Sequence, residues 1–196
     1  MHAFIPAVVS ALALGVSATP SRHWWGFGKD FNGQCLSDDC ANTVANNFKS
    51  LISDYSNGLA DSVLTTDYVD YSDSVNELIN NGCATGHAPL GTATFSSRSQ
   101  FEAGQGGQPN IPFEILNVWH SCDTVTMRWR SSAPGGSNAQ QVTGIAVQQV
   151  VRNWNGGQKW LIKETFSEFN SGAWLADLNI TVPTNCNAVH KRATLM

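Results

Sequence analysis

The sequence is poor in charge: only 13% of its 196 residues are Asp, Glu, Lys or Arg, and 11 basic against 15 acidic side chains leave a net charge of −4. No basic block stands out, which excludes a surface that binds nucleic acid by neutralising phosphates. CxxC pairs are absent, and His2, His23, His87, His120 and His190 show no HExxH-type spacing, so a zinc site has no ligand pattern. GxSxG and GxxxxGK[ST] are missing too, and Gly104, Gly106 and Gly107 do not follow a strand and open a helix. That removes nucleophile-elbow and phosphate-cradle chemistry, and no cofactor is expected. Nor does any apolar run reach the ~20 residues of a membrane span. What fills the chain instead is 42% hydrophobic residues with Asn, Ser, Thr, Gln and Gly. Such a composition folds, and the length suits one domain.

Ala3 to Val16 is apolar apart from Pro6 and Ser10, and Val16-Ser17-Ala18 places small residues at −3 and −1 for signal peptidase. Residues 1–18 therefore read as a signal peptide cleaved after Ala18, and the protein as secreted and extracellular. Residues 19–34 form an extended arm carrying Trp24, Trp25, Phe27 and Phe31. These aromatics either pack onto the following domain or present a sugar-stacking or membrane-touching patch. The folded domain spans 35–184, and 185–196 is a polar tail with a dibasic Lys191-Arg192 pair open to a secretory protease. Asn179-Ile-Thr is the one N-x-[ST] sequon, so one conventional N-glycan is expected, at Asn179.

Five cysteines in an oxidising compartment imply two bridges and one remaining thiol. Cys35 and Cys40 flank Leu-Ser-Asp-Asp at a helix start, while Cys83 and Cys122 each end an element. The preferred pairing is Cys35 with Cys40 and Cys83 with Cys122. Cys186 lies in a tail without a nearby base, which speaks against a catalytic thiol.

Ala41, Val44, Ala45, Phe48, Leu51, Ile52 and Tyr55 have the spacing of one helical face, with Ser37 as N-cap and Asp38 and Asp39 complementing the dipole. Asn57-Gly58 stops that helix. A short helix over 59–64 leads to a strand over 66–72, and Ser74 and Glu77 have capping-box spacing for a third helix ending at Gly82. Helices then give way to alternation. Strands are expected over 95–101, 112–121, 124–131, 141–152 and 159–169, with Asn155-Gly156 as a hairpin turn. The layout is α+β: N-terminal helices on a strongly curved, mostly antiparallel sheet.

With Asp67-Tyr68-Val69-Asp70-Tyr71, Val142-Thr-Gly-Ile, Lys159-Trp-Leu-Ile and Ser167-Glu-Phe-Asn-Ser-Gly-Ala-Trp174 in this order, Leu36 to Pro183 resembles the NTF2-like (cystatin-like, SnoaL-type) cone, in particular its secreted fungal proteins. The resemblance implies a pocket in which such proteins act as dehydratases, isomerases, cyclases or epoxide hydrolases, or only bind and carry. Fold alone does not choose between these. It also implies that a Tyr or Asp after the second helix faces the cavity.

In the last strand Trp160, Ile162 and Phe166 share a parity, which also carries Glu164, Glu168 and Asn170. A carboxylate on the buried face is either a tuned acid–base group or an anchor that accepts loop N–H groups. His120 beside Trp119 either enters the cone or is structural, and Tyr68 and Tyr71 either reach the pocket or wedge helix against sheet. The partner read from this is a small apolar molecule, in a cavity of ~300 Å³ or more. Tyr68, Trp119, Trp160, Phe166 and Asn170 would line it. Two alternatives stay open: a cofactor-independent lyase or isomerase using Glu168, His120 and Tyr71, and an interaction protein, including a homodimer, that uses the outer sheet face.

Overall fold

In the computed structural model, which describes residues 35–83, 85–132 and 140–180, the Ser37 hydroxyl accepts from the Cys40 N–H and caps α1 (Asp38–Ser53). Its buried stripe is Ala41, Val44, Ala45, Phe48 and Leu51, the face expected from the spacing. Asn57 opens the next helix rather than ending the first, because Ser56 caps α2 (Asn57–Val63). Strand β1 (Leu64–Tyr71) follows at once. Ser72, two residues before the expected cap, accepts from the Val75 N–H and starts α3 (Asp73–Ile79).

The next segment departs from expectation. Alternation predicts a strand over 95–101, but only β2 (Ala93–Phe95) is extended, and Ser97 caps α4 (Arg98–Gln105) by accepting from the Gln100 N–H. Burial of Phe101 and an available cap outweigh alternation over so few residues. Strands β3 (Glu114–His120), β4 (Thr124–Ser131), β5 (Val142–Arg152) and β6 (Trp160–Phe169) then run as hairpins, and α5 (Ser171–Asp177) closes the described chain. The sheet order is β2-β1-β6-β5-β4-β3, antiparallel except for the parallel β1–β6 pair. The fold is thus α+β, with α1 packed on an inner face built from Val125, Met127, Trp129, Val142, Ala146 and Ile162.

One irregularity governs the site. Gln149 pairs with Glu164 but Val150 pairs with Ile162, so Lys163 is an extra residue in β6 and the side-chain parity reverses there. Trp160 and Ile162 face inward before the bulge; Thr165 and Ser167 face inward after it. Phe166, 40% exposed, and Glu168 therefore lie on the outer face, contrary to the unbroken parity read from the sequence.

The disulfide expectation is corrected as well. Cys35 is bonded to Cys122, not to Cys40, and Cys40 is a free thiol. The bond ties the entry of α1 to the β3–β4 turn, where the Leu36 N–H also donates to the Cys122 carbonyl at 2.8 Å. Ser37 begins a helix directly after Cys35, and a helix carries Cys40 away from it. Cys83 is itself disulfide-bonded, though not to Cys122. Cys186, the leader, the aromatic arm and the tail lie outside the described residues. No helix among the described residues is long and apolar enough to cross a membrane.

Candidate functional site

Between the inner sheet face and α1, α3, α4 and α5 lies a cavity of about 120 Å³. This is smaller than the volume expected from the sequence. A 150 Å³ apolar cavity holds benzene, so the space suits a molecule of roughly one ring.

Its walls are mostly apolar, and an aromatic belt runs through them. Phe113 stacks on Trp129 at 4.6 Å between centroids, Trp129 meets Phe169 at 5.6 Å, and Phe169 meets Trp174 at 5.1 Å. Phe48 of α1 joins this belt edge-on to Phe113 at 6.4 Å. Gly144 permits the arrangement, since a Cβ there would lie 2.6 Å from Trp129 Cζ2 and 2.7 Å from Phe169 Cβ. Helices α3 and α4 supply Val75, Leu78, Ile79 and Phe101, and the polar contributors are Ser72, Ser167, Gln105, Gln108 and Asp70.

Asp70 is the one ionisable side chain among the described residues of the wall. It is 7% exposed, and its Oδ1 has no hydrogen-bond partner. Burial pushes its pKa up to about 7, and the negative charge of Glu168 adds to the rise. The Tyr68 phenol, two residues back on the same face, pulls the other way without a hydrogen bond of normal geometry. Behind Asp70 the sheet continues the polar row: Thr165 is in register with Asp70, and Gln148 with Thr165. Both are fully buried, with Thr165 Oγ1 and both Gln148 amide atoms unpartnered. Folded proteins leave few buried polar atoms unpaired, so this row is a polar seam beneath the cavity wall.

The residues singled out from the sequence lie elsewhere. Glu168 accepts from the N–H groups of Asp73 and Ser74, each at 2.9 Å, at the N-terminal end of α3. His120 Nε2 contacts Asp38 Oδ1 at 2.8 Å and its Nδ1 meets the Ser121 carbonyl, which directs the ring to the start of α1; the Asp38 hydrogen bond raises its pKa. Tyr71 stacks on Phe166 at 5.2 Å on the outer face, and Trp119 is 52% exposed. Trp160 is buried beneath Arg152, whose guanidinium lies 5.5 Å from its ring. Asn170 caps α5 by accepting from the Ala173 N–H. Tyr68 is core, edge-on to Phe101, and burial raises its pKa well above the usual value. None of these side chains lines the cavity. Asp70, Thr165 and Gln148 were not singled out, although Gln148 stands on the buried parity of β5 with Val142, Ala146 and Val150. Among the described residues no group of three or more His, Cys, Asp or Glu is placed to hold a metal.

A family model described as an NTF2-like domain matches residues 34–181. Comparison with curated proteins by sequence finds no match. Among solved structures, a protein from Bacillus cereus provisionally named a polyketide cyclase is similar at 16% identity, with 74% of this chain and 86% of that one covered and a TM-score of 0.51. IdmH of Streptomyces antibioticus, also provisionally named a polyketide cyclase, is 14% identical over 71% of this chain and 99% of its own, with a TM-score of 0.48. A protein from Agrobacterium tumefaciens provisionally named an isomerase of the SnoaL-like family is 14% identical over 67% and 98%, with a TM-score of 0.44.

Proposed function

Because the chain belongs to the NTF2-like domain family, we propose that it binds a small, mainly apolar molecule in the cavity, with Asp70 anchoring the polar atom of that molecule. One observation carries this: a cavity with mainly apolar walls holds one ionisable group among its described residues, and an oxygen of that group has no partner. Apolar walls with few convergent polar groups are the usual make-up of small-molecule sites. Calorimetric titration with p-cresol, a single ring with one hydroxyl, tests it. Saturable binding is expected, and Val75→Trp, which fills the cavity, is expected to abolish it. Absence of binding, or binding indifferent to Val75→Trp, rejects the reading.

A second reading is favoured by the pKa of Asp70. A carboxyl near 7 is present in both forms at neutral pH, as an acid–base group must be. On that reading proton transfer, as in a lyase or isomerase, belongs to Asp70 and not to Glu168, His120 or Tyr71, which stand outside the wall. The cyclase name carried by the Bacillus cereus protein agrees with such chemistry. Turnover that survives Asp70→Asn would remove it.

The disulfide and the leader-like residues 1–18 support an extracellular protein, and exposed Asn179 is open to a glycan. Ile145, Trp119 and Phe166, exposed on the outer sheet face, support a homodimer there.

A further inference from the structure

We propose that the ligand of the cavity is a small organic ammonium ion, its charge on Asp70 and its alkyl groups against the aromatic belt. This rests on the reading of the cavity as a binding site and names the chemical class it selects.

Three observations converge on a cation. The first is the unpartnered Oδ1 of Asp70, on a side chain only 7% exposed. A neutral apolar ligand would leave the Asp70 carboxylate in the wall without a counter-charge, whereas an ammonium ion supplies one. The second is the belt of Phe48, Phe113, Trp129, Phe169 and Trp174, joined ring to ring. Aromatic faces attract cations, and most strongly where water is excluded. The third is the absence of a competing cation: no Lys, Arg or His is found among the described residues of the wall.

The surroundings of Asp70 agree. Strand β1 brings Tyr68, and β6 brings Thr165 and, from the outer side, Glu168. Helix α1 presents Phe48 and Ile52, α3 presents Val75, Leu78 and Ile79, and α4 presents Phe101 and Gln105. The charged groups of α4, Arg98 and Glu102, pair with each other at 3.3 Å. Arg98 is also held by Asp61 at 2.8 Å, and the ionisable groups that act on Asp70 are Tyr68 and Glu168, neither of them a cation.

Proton balance follows. Without ligand, Asp70 takes up its proton as pH falls through about 7. An ammonium ion binds the carboxylate, so at lower pH that proton must leave to solvent on binding. Affinity then falls about tenfold per pH unit below this value.

The test is calorimetry with two probes of one shape, choline chloride and 3,3-dimethyl-1-butanol, in which a carbon replaces the ammonium nitrogen. Choline is expected to bind at least tenfold tighter than the alcohol at pH 8, to lose about tenfold of that affinity at pH 6, and to lose its preference in Asp70→Asn. If the alcohol binds as tightly as choline, the ammonium assignment is overturned while the cavity reading stands. If choline is preferred but its affinity ignores both pH and Asp70→Asn, the assignment is likewise overturned, since another group reads the charge. If neither probe binds, the ammonium assignment is overturned, and the p-cresol titration decides the cavity reading by itself.

Discussion

Glu168 grips Ser74 twice, its Oε2 accepting from the backbone N–H at 2.9 Å and from the hydroxyl at 2.5 Å, while Oε1 accepts from the Asp73 N–H at 2.9 Å. The carboxylate thus satisfies N–H groups of the first turn of α3, where the helix dipole also favours a negative charge. Helix α3 carries Val75, Leu78 and Ile79 to the cavity, so this outer-face residue holds a cavity wall in place. Glu168→Ala is expected to lower stability by ~2 kcal/mol, and Glu168→Gln by somewhat less, because one amide oxygen remains to accept. Denaturant unfolding measures both. Normal stability with lost binding would contradict the anchoring role.

The Cys35–Cys122 bond closes a loop with a sequence separation of 87. In the chain-entropy model a loop of that order is worth ~4 kcal/mol, so the double substitution Cys35→Ser/Cys122→Ser should lower the unfolding midpoint sharply. Peptide mapping without reduction should link Cys35 to Cys122 and show Cys40 alkylated, with Cys83 protected until reduction. A Cys35–Cys40 peptide would refute the connectivity.

How far the sequence could be read follows from what each signal depends on. The α1 face and its Ser37 cap are local, set by spacing within one helix, and β4 alternates over its whole length; both emerge where expected. Parity in β6 is equally local up to Lys163, where one unpaired residue transfers every later side chain to the opposite face. No composition marks that bulge, since Lys163 is an ordinary strand-face lysine. The site residues were lost through it: Glu168 moved outward, while Thr165 and Ser167 moved in. Asp70 was legible in kind, as an acid between tyrosines in a segment expected near the cavity. That it, and not Tyr71, faces inward depends on pairing with β6, a contact far away in sequence. The disulfide is hidden for the same reason, because short separation favours Cys40 until the helix is known to carry it away.

His120 and Asp38 are joined across the start of α1 by a 2.8 Å contact from Nε2 to Oδ1. That hydrogen bond raises the His120 pKa above its usual value. The folded state therefore holds the proton more strongly than the unfolded chain does. The resulting stabilisation is complete below about 6.5, the ordinary histidine value, and disappears as pH rises through the raised one. His120→Gln should thus lower the thermal midpoint at pH 5.5 and leave it nearly unchanged at pH 9. Equal losses at both pH values would show that the ring serves packing and not the ion pair.

Asp70 shifts stability with pH in the same direction, but through the cost of a buried charge and not through an ion pair. Its folded-state pKa is raised from 3.8 to about 7 by burial, so the folded protein keeps a proton that the unfolded chain releases. Stability contributed by the protonated form is complete below 3.8 and is lost as pH rises through about 7. At 1.36 kcal/mol per unit the full shift amounts to roughly 4 kcal/mol, an upper figure, since water and side-chain movement relieve part of the penalty. Asp70→Asn fills the same volume and cannot ionise. It should match the parent protein at pH 4 and exceed it by ~1 to 3 kcal/mol at pH 8, as read from denaturant midpoints at the two pH values. The same asparagine is the variant that erases choline preference, so the gain in stability and the loss of cation recognition should appear together in one molecule. A loss at pH 8 would mean that the Asp70 carboxylate already has a compensating partner within the chain, and an equal gain at both pH values would mean that the amide packs better irrespective of charge.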